Sequence, residues 1–177
     1  MLFRSHAARG ATRICLPPEL PLSSVAAIAA ALPNAAIEVF AFGRVPLAIS
    51  ARCYHARVHK LAKDNCRFVC EKDPDGLTLK TLEHQDFLTI NGVQTLSYTC
   101  ANLLGDIGAL RKAAISSLRL SPQDCDMVAV ARTFRDVLDG SDDAEGGNRR
   151  LAAIYPNIPF SNGFLQGQPG HVYRTSD

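Results

Sequence analysis

Short extended runs alternate with helix-sized stretches along this chain. That alternation restricts the fold more than any other feature, because parallel strands need a long crossover and a helix is the economical way to make one. Residues 12–16 are a short apolar run closed by Pro17-Pro18. Residues 22–32 follow, alanine-rich, with Ser23 and Ser24 placed as caps, so the pair reads as strand then helix. Residues 36–42, Ala-Ile-Glu-Val-Phe-Ala-Phe, are aromatic and β-branched between Asn34 and Gly43 and form the clearest predicted strand. A second helix is expected over 56–63, and Asp73-Pro-Asp-Gly76 is a turn signal near extended runs at 78–82 and 87–91. A helix near 101–114, a strand at 115–120 closed by Ser121-Pro122, and a helix over 124–138 starting near Asp124 complete the pattern. Residues 140–147 read as a solvated loop, residues 1–10 as a poorly ordered, irregular start, and 155–177 as an irregular tail lying over something already folded. The expected class is α/β with parallel strands; the four or five strands are too few to close an eight-stranded barrel alone.

Length and charge narrow the function classes. The 177 residues, 47% of them hydrophobic and 20% charged, suffice for one real core and are too few for two ordinary domains, so a single domain over 1–177 is expected. Nineteen Lys and Arg against 17 Asp and Glu leave a net charge of only +2, without a basic run, which does not indicate a nucleic-acid footprint. The longest apolar stretch, 25–32, is far shorter than the roughly 20 residues a membrane span requires. The first residues lack the apolar core of a secretory signal, and the expected compartment is the cytoplasm.

The chemistry concentrates in cysteine. Of Cys15, Cys53, Cys66, Cys70, Cys100 and Cys125, three fall within one short segment as C-x12-C-x3-C: Cys53, Cys66 and Cys70. Thiolates are soft, charged donors suited to iron or zinc when several converge. If the segment is helical, Cys66 and Cys70 share one face. Arg52 and Arg67 adjoin two of the three, and cations there would offset the negative charge of a thiolate-bound cluster. Spacing alone admits burial of three small apolar thiols equally well. It matches neither a zinc ribbon nor a bacterial ferredoxin run, and zinc with His55 or His59 as a fourth donor stays open.

The words around these cysteines carry a resemblance. Residues 38–53, Glu-Val-Phe-Ala-Phe-Gly-Arg-Val-Pro-Leu-Ala-Ile-Ser-Ala-Arg-Cys, are followed by Cys66-Arg-Phe-Val-Cys70, and together they resemble the signature of the collagenase-like peptidase U family. Leu88-Thr-Ile-Asn-Gly-Val-Gln-Thr-Leu-Ser97, Leu118-Arg-Leu-Ser-Pro-Gln123 and Ser161-Asn-Gly-Phe-Leu-Gln-Gly-Gln-Pro-Gly170 match in order, over about 12–170, and are most similar to its ubiquinone-biosynthesis branch. The resemblance implies the C-terminal part of a TIM-like (β/α) barrel carrying a 4Fe-4S cluster. It also implies a heterodimer with a UbiU-type homologous partner in the oxygen-independent hydroxylation of a ubiquinone precursor. Three of that branch's four cluster cysteines map onto Cys53, Cys66 and Cys70. The fourth belongs to the N-terminal half of the family's barrel, which this chain is expected to enter partway through, so Cys100 is the first candidate to substitute and Cys15 the second. An incomplete barrel leaves open strand edges, which predicts low stability or association.

Three other readings stand beside this one. A peptidase is suggested by the family label but needs an activated nucleophile or a metal-bound water, and no such set is visible. Hydroxylation of RNA bases by relatives of the family is a second, against which the near-neutral charge weighs. An inactive truncated fragment is the third. Glu38, Asn91-Gly92, Arg119 and Ser121 could line a barrel mouth, and structural pairing explains each of them at least as well.

Overall fold

The computed structural model describes residues 2–175. Its elements in chain order are α1 (Leu2–Ala8), β1 (Arg13–Cys15), α2 (Leu22–Ala31), β2 (Ala36–Ile49), α3 (Tyr54–Val58), β3 (Leu77–Lys80), β4 (Asp86–Asn91), β5 (Gln94–Asn102), α4 (Ile107–Lys112), β6 (Ser117–Leu120), α5 (Met127–Asp139), α6 (Ala144–Ile154) and β7 (Phe160–Ser161). Short 3-10 turns lie at Lys63–Asn65, Val69–Lys72 and Leu104–Asp106. The strands hydrogen-bond in the order β1-β2-β5-β4-β3, with β6 also on β2 and β7 on β5. The fold is α/β, as expected, with an open sheet that is mixed where parallel strands were expected. β1 and β6 pair parallel with β2, but β4 and β5 are joined by two residues, a link that permits only antiparallel pairing. Among the described residues no helix is long and apolar enough to cross a membrane.

The chain divides into two compact units, Met1–Gly43 with Ala101–Asp177 and, between them in sequence, Arg44–Cys100. In the first unit β1 and β6 both pair parallel with β2, in registers that set Cys15 opposite Glu38 and Glu38 opposite Ser117. Phe42, fully buried, is the centre of this core. Its ring meets Phe134 of α5 edge-on at 6.1 Å and Phe160 of β7 at 6.3 Å, the tilted geometry that aromatic quadrupoles favour. Val25, Ile37, Leu110, Val130 and Leu151 are buried in the same unit.

Local chemistry explains most of the helix boundaries. The start of α2 uses neither Ser23 nor Ser24: Pro21 occupies the N-cap position with φ −71°, and the Leu22 N–H donates to the Leu165 carbonyl at 2.9 Å. In α5 the cap is Asp126 rather than Asp124, its carboxylate accepting the Ala129 N–H at 2.9 Å. The stretch expected as a loop over 140–147 instead supplies the first turn of α6, capped by Asp143, which accepts the Gly146 N–H at 2.6 Å. Gly147 is buried there because a Cβ would sit 2.6 Å from Leu104 and 2.9 Å from Val137; the missing side chain lets α6 close on α5. Residues 2–8, expected to be irregular, are helical, while Met1 and the last two positions of the expected 155–177 tail lie outside the described residues.

The tail carries β7 and is tightly held. Asp106, almost wholly buried, accepts Asn162 Nδ2 at 3.0 Å and Gln166 Nε2 at 2.5 Å. Asn162 also donates to the Arg174 carbonyl and accepts the Arg174 N–H, both at 2.8 Å. Burial and the charge of Asp106 raise the Tyr173 phenol above its ordinary value. Buried polar groups satisfied this completely fix one arrangement of backbone. Gly163 completes it: a Cβ there would lie 2.0 Å from the Pro169 carbonyl oxygen, a backbone atom that cannot swing aside. Gly163→Ala is therefore expected to cost about 1–3 kcal/mol, the range for overpacking, measured as a lower urea midpoint at constant slope. An unchanged midpoint would mean that the tail is not docked as described.

In the second unit β3, β4 and β5 form an antiparallel meander with Leu77 opposite Ile90, Thr89 opposite Leu96 and Asn91 opposite Gln94. β2 runs past Gly43, its expected end, and the Ser50 N–H donates to the Val93 carbonyl at 2.8 Å. α3 is shorter than the expected 56–63. Lys60 turns left-handed at φ 57°, and the Leu61 N–H closes back on the Ala56 carbonyl at 2.8 Å, a C-terminal cap that stops the helix.

Candidate functional site

The site lies in the second unit, where α3 and the turns after it hold Cys53, Cys66 and Cys70. Cys53 is the N-cap residue of α3 with extended backbone, and its sulfur accepts the Ala56 N–H at 3.4 Å. Cys66 ends one 3-10 turn and Cys70 lies in the next. The expected single helical face for these two is not formed, because Arg67 and Phe68 between them are both left-handed at φ 51°. The Val69 N–H donates to the Cys66 carbonyl at 3.2 Å across that bend. All three thiols are half-buried, and Arg52 and Arg67 are exposed. Cys100 lies on β5 at 0% exposure, packed as a core residue, and Cys15 is an exposed residue of β1. Burial raises the Cys15 thiol above its ordinary value, opposed by the charge of Arg119. The sulfurs of Cys53, Cys66 and Cys70 do not meet within the 4.8 Å span of a single-ion site. A four-iron cubane spaces its thiolates more widely than one ion does, and soft donors with part of their surface open, one of them already facing a backbone N–H, suit such a group chemically.

Two buried side chains, His55 and Arg44, hold the neighbouring turn; sequence reasoning named His55 only as an alternative zinc donor and missed Arg44. His55 is fully buried; its Nε2 lies 2.8 Å from Asp73 Oδ2, and its Nδ1 accepts the Gly92 N–H at 3.4 Å. Both ring nitrogens are therefore engaged, and no lone pair is left to activate a thiol or hydroxyl, as a peptidase base must. His59 stacks on His55 with ring centroids 6.1 Å apart, and its Nε2 is 3.8 Å from Asp73 Oδ2, beyond hydrogen-bond reach. Arg44, 3% exposed, donates to Asp75 Oδ2 at 2.6 Å, to the Ser97 carbonyl at 3.2 Å and to the Tyr98 carbonyl, with its guanidinium over the Tyr98 ring. The only sequence signal for either was a charged residue inside an apolar strand and an isolated histidine pair.

Other singled-out residues have structural partners. Glu38 accepts from Arg119 at 2.7 and 2.8 Å and lies 3.5 Å from Arg13. The Ser121 N–H donates to the Phe42 carbonyl at 2.8 Å. Tyr54, Arg57 and Val58 of α3 line, with Leu79, Leu88 and Ile90, a largely apolar groove of about 760 Å³.

Two expectations follow from these charges. Asp75→Ala strips the buried Arg44 of its counter-charge, and the cost should be about 3 kcal/mol, the low end for a broken buried ion pair because Asp75 is partly exposed. A urea midpoint equal to wild type would place the guanidinium in water. Lys80, 2.8 Å from Asp86, holds that carboxyl below its ordinary range through a hydrogen bond. The pair's contribution is thus complete above the ordinary carboxylate range and lost as pH falls through the lowered value. An NMR titration of Asp86 with a midpoint at or above the ordinary range would refute this.

Comparison with known proteins completes the site's context. No solved structure matches the chain at a significant level. Residues 3–174 match Peptidase family U32, nearly the whole length, and the chain belongs to that family.

Proposed function

We propose that this U32-family chain is an iron-sulfur protein of the UbiV type, serving oxygen-independent hydroxylation of a ubiquinone precursor in a heterodimer with a UbiU-type partner. Cys53, Cys66 and Cys70 are its proposed 4Fe-4S ligands. The observation that carries the reading is that three half-buried thiols fall in one short segment of one compact unit, beside a clamped turn, in a chain of this family. Such a cluster supplies one-electron transfer when bound. The chain's own residues do the holding. The Ala56 N–H faces the Cys53 sulfur, the left-handed bend at Arg67-Phe68 separates Cys66 from Cys70, and the exposed Arg52 and Arg67 offset thiolate charge. Cys100 ranks behind these three as a fourth ligand because it is wholly buried. The apolar groove beside α3 suits a hydrophobic ring or tail better than a peptide backbone, whose polar groups it could not satisfy.

The test is anaerobic purification with iron and sulfide counting. Wild type is expected to carry both in equal amounts, and Cys53→Ala, Cys66→Ala and Cys70→Ala each to lower iron affinity by about tenfold or more, at least the effect of removing a supporting group. Cys125→Ala should retain the wild-type content. A colourless wild-type protein without either element, or full iron in all three variants, would end this reading.

A further inference from the structure

We propose that His55 and Asp73 form a positioning clamp that holds both ends of the cysteine segment in one geometry before a cluster is bound; the proposal rests on the ligand assignment above. His55 follows Cys53 by two residues, and Asp73 follows Cys70 by three. Because the Gly92 N–H donates to Nδ1, the ring proton of His55 sits on Nε2 and donates to Asp73 Oδ2 at 2.8 Å. The Asp73 N–H in turn donates to the Cys70 carbonyl at 3.2 Å, and Asp73 accepts the Gly76 N–H at 2.8 Å. One part-buried side-chain bond, spanning 18 positions, therefore closes the loop that contains Cys66 and Cys70 and anchors the residue two positions after Cys53. Between the ends the chain makes only short turns, so without this bond the thiols would sample many separations, and the entropy of gathering them would fall on cluster binding.

The same residues bring three donor atoms, from His55, His59 and Asp73, within 4.8 Å of one another, which is also how a divalent ion is held. The Gly92 N–H favours the clamp. A metal on Nε2 would leave His55 without a proton on either nitrogen, whereas metal-bound histidines ordinarily donate from the second nitrogen.

The test uses the full chain reconstituted anaerobically with iron and sulfide, timing cluster loss to a chelator by visible absorbance. Asp73→Ala is expected to release iron about tenfold faster than wild type, the factor that about 1.4 kcal/mol represents for one lost charge-assisted hydrogen bond. Asp73→Asn keeps an acceptor oxygen and should restore most of the difference. Asp86→Ala, which breaks an ion pair elsewhere in the unit, should match wild type, and so should His59→Ala. If Asp73→Ala does not fold, His55→Gln is the second variant, with release expected between the two. In the metal-free protein the His55 Nε2 proton should resist exchange in wild type and Asp73→Asn and be lost from the spectrum in Asp73→Ala. Equal release rates for iron-loaded wild type and Asp73→Ala overturn the clamp alone, as does stoichiometric zinc that disappears in His59→Ala. A wild type that takes up no iron overturns the clamp and the proposed function together.

Discussion

Arg44 and His55 both send a buried side chain to one four-residue turn, and the second unit is organised by that convergence. The turn Asp73-Pro-Asp-Gly76 presents two carboxylates, one to the Arg44 guanidinium and one to the His55 ring. Neither contact would form in an unfolded chain, where water solvates all four groups. Inside the fold the lost hydration must be replaced, and Arg44 does so with carbonyls of β5 as well as Asp75. Such buried polar contacts select one conformation from many compact alternatives more than they add net stability. The consequence is a rigid frame around a segment that has little regular structure of its own. Cysteines carried on short turns owe their placement to these neighbours.

The first unit solves a similar problem with uncharged partners. Asp106 is buried beneath the tail, and Asn162 and Gln166 reach it with amide donors. Asn102 meanwhile accepts the Leu104 N–H at 3.0 Å and donates to Asn148 at 2.8 Å, tying the end of β5 to α6. A tail rich in glycine and proline cannot build a ladder of its own. It is ordered by side-chain amides that substitute for one. The family motif at 161–170 thus has a structural account in this chain, with Gly163 and Gly170 present because a backbone carbonyl and the Phe164 ring occupy the space of a side chain.

Where local pattern and burial agreed, the elements were readable in advance. Residues 36–42 are a strand, 22–31 and 127–138 are helical, and 73–76 turn, because periodicity and turn chemistry act over a few residues and are written in them. β5 went unread although Leu96, Tyr98 and Cys100 alternate with Thr95, Ser97 and Thr99; β2 and β4 pair with it. The glycines at 146–147 read as a loop because propensity penalises them in a helix; at Gly147 the approach of α5 and Leu104 leaves no room for a side chain, and at Gly146 the Asp142 carboxylate takes that place. The expectation of parallel strands held for only part of the sheet for a related reason: it was inferred from helices between strands, and the two-residue link between β4 and β5 makes that pair antiparallel.

The amino-acid sequence by itself determined the inventory: three clustered cysteines, a near-neutral charge, the helices α2 and α5, the turn at 73–76, and membership in a family whose pattern spans nearly the whole chain. These are properties of single residues and short spacings, which need no partner to exist. Tertiary structure alone decided that His55 is buried and closed between Asp73 and Gly92, that Arg44 is an internal cation, and that Cys66 and Cys70 sit across a left-handed bend. Burial and pairing depend on residues far apart in the chain arriving together, and no local pattern records which of them will.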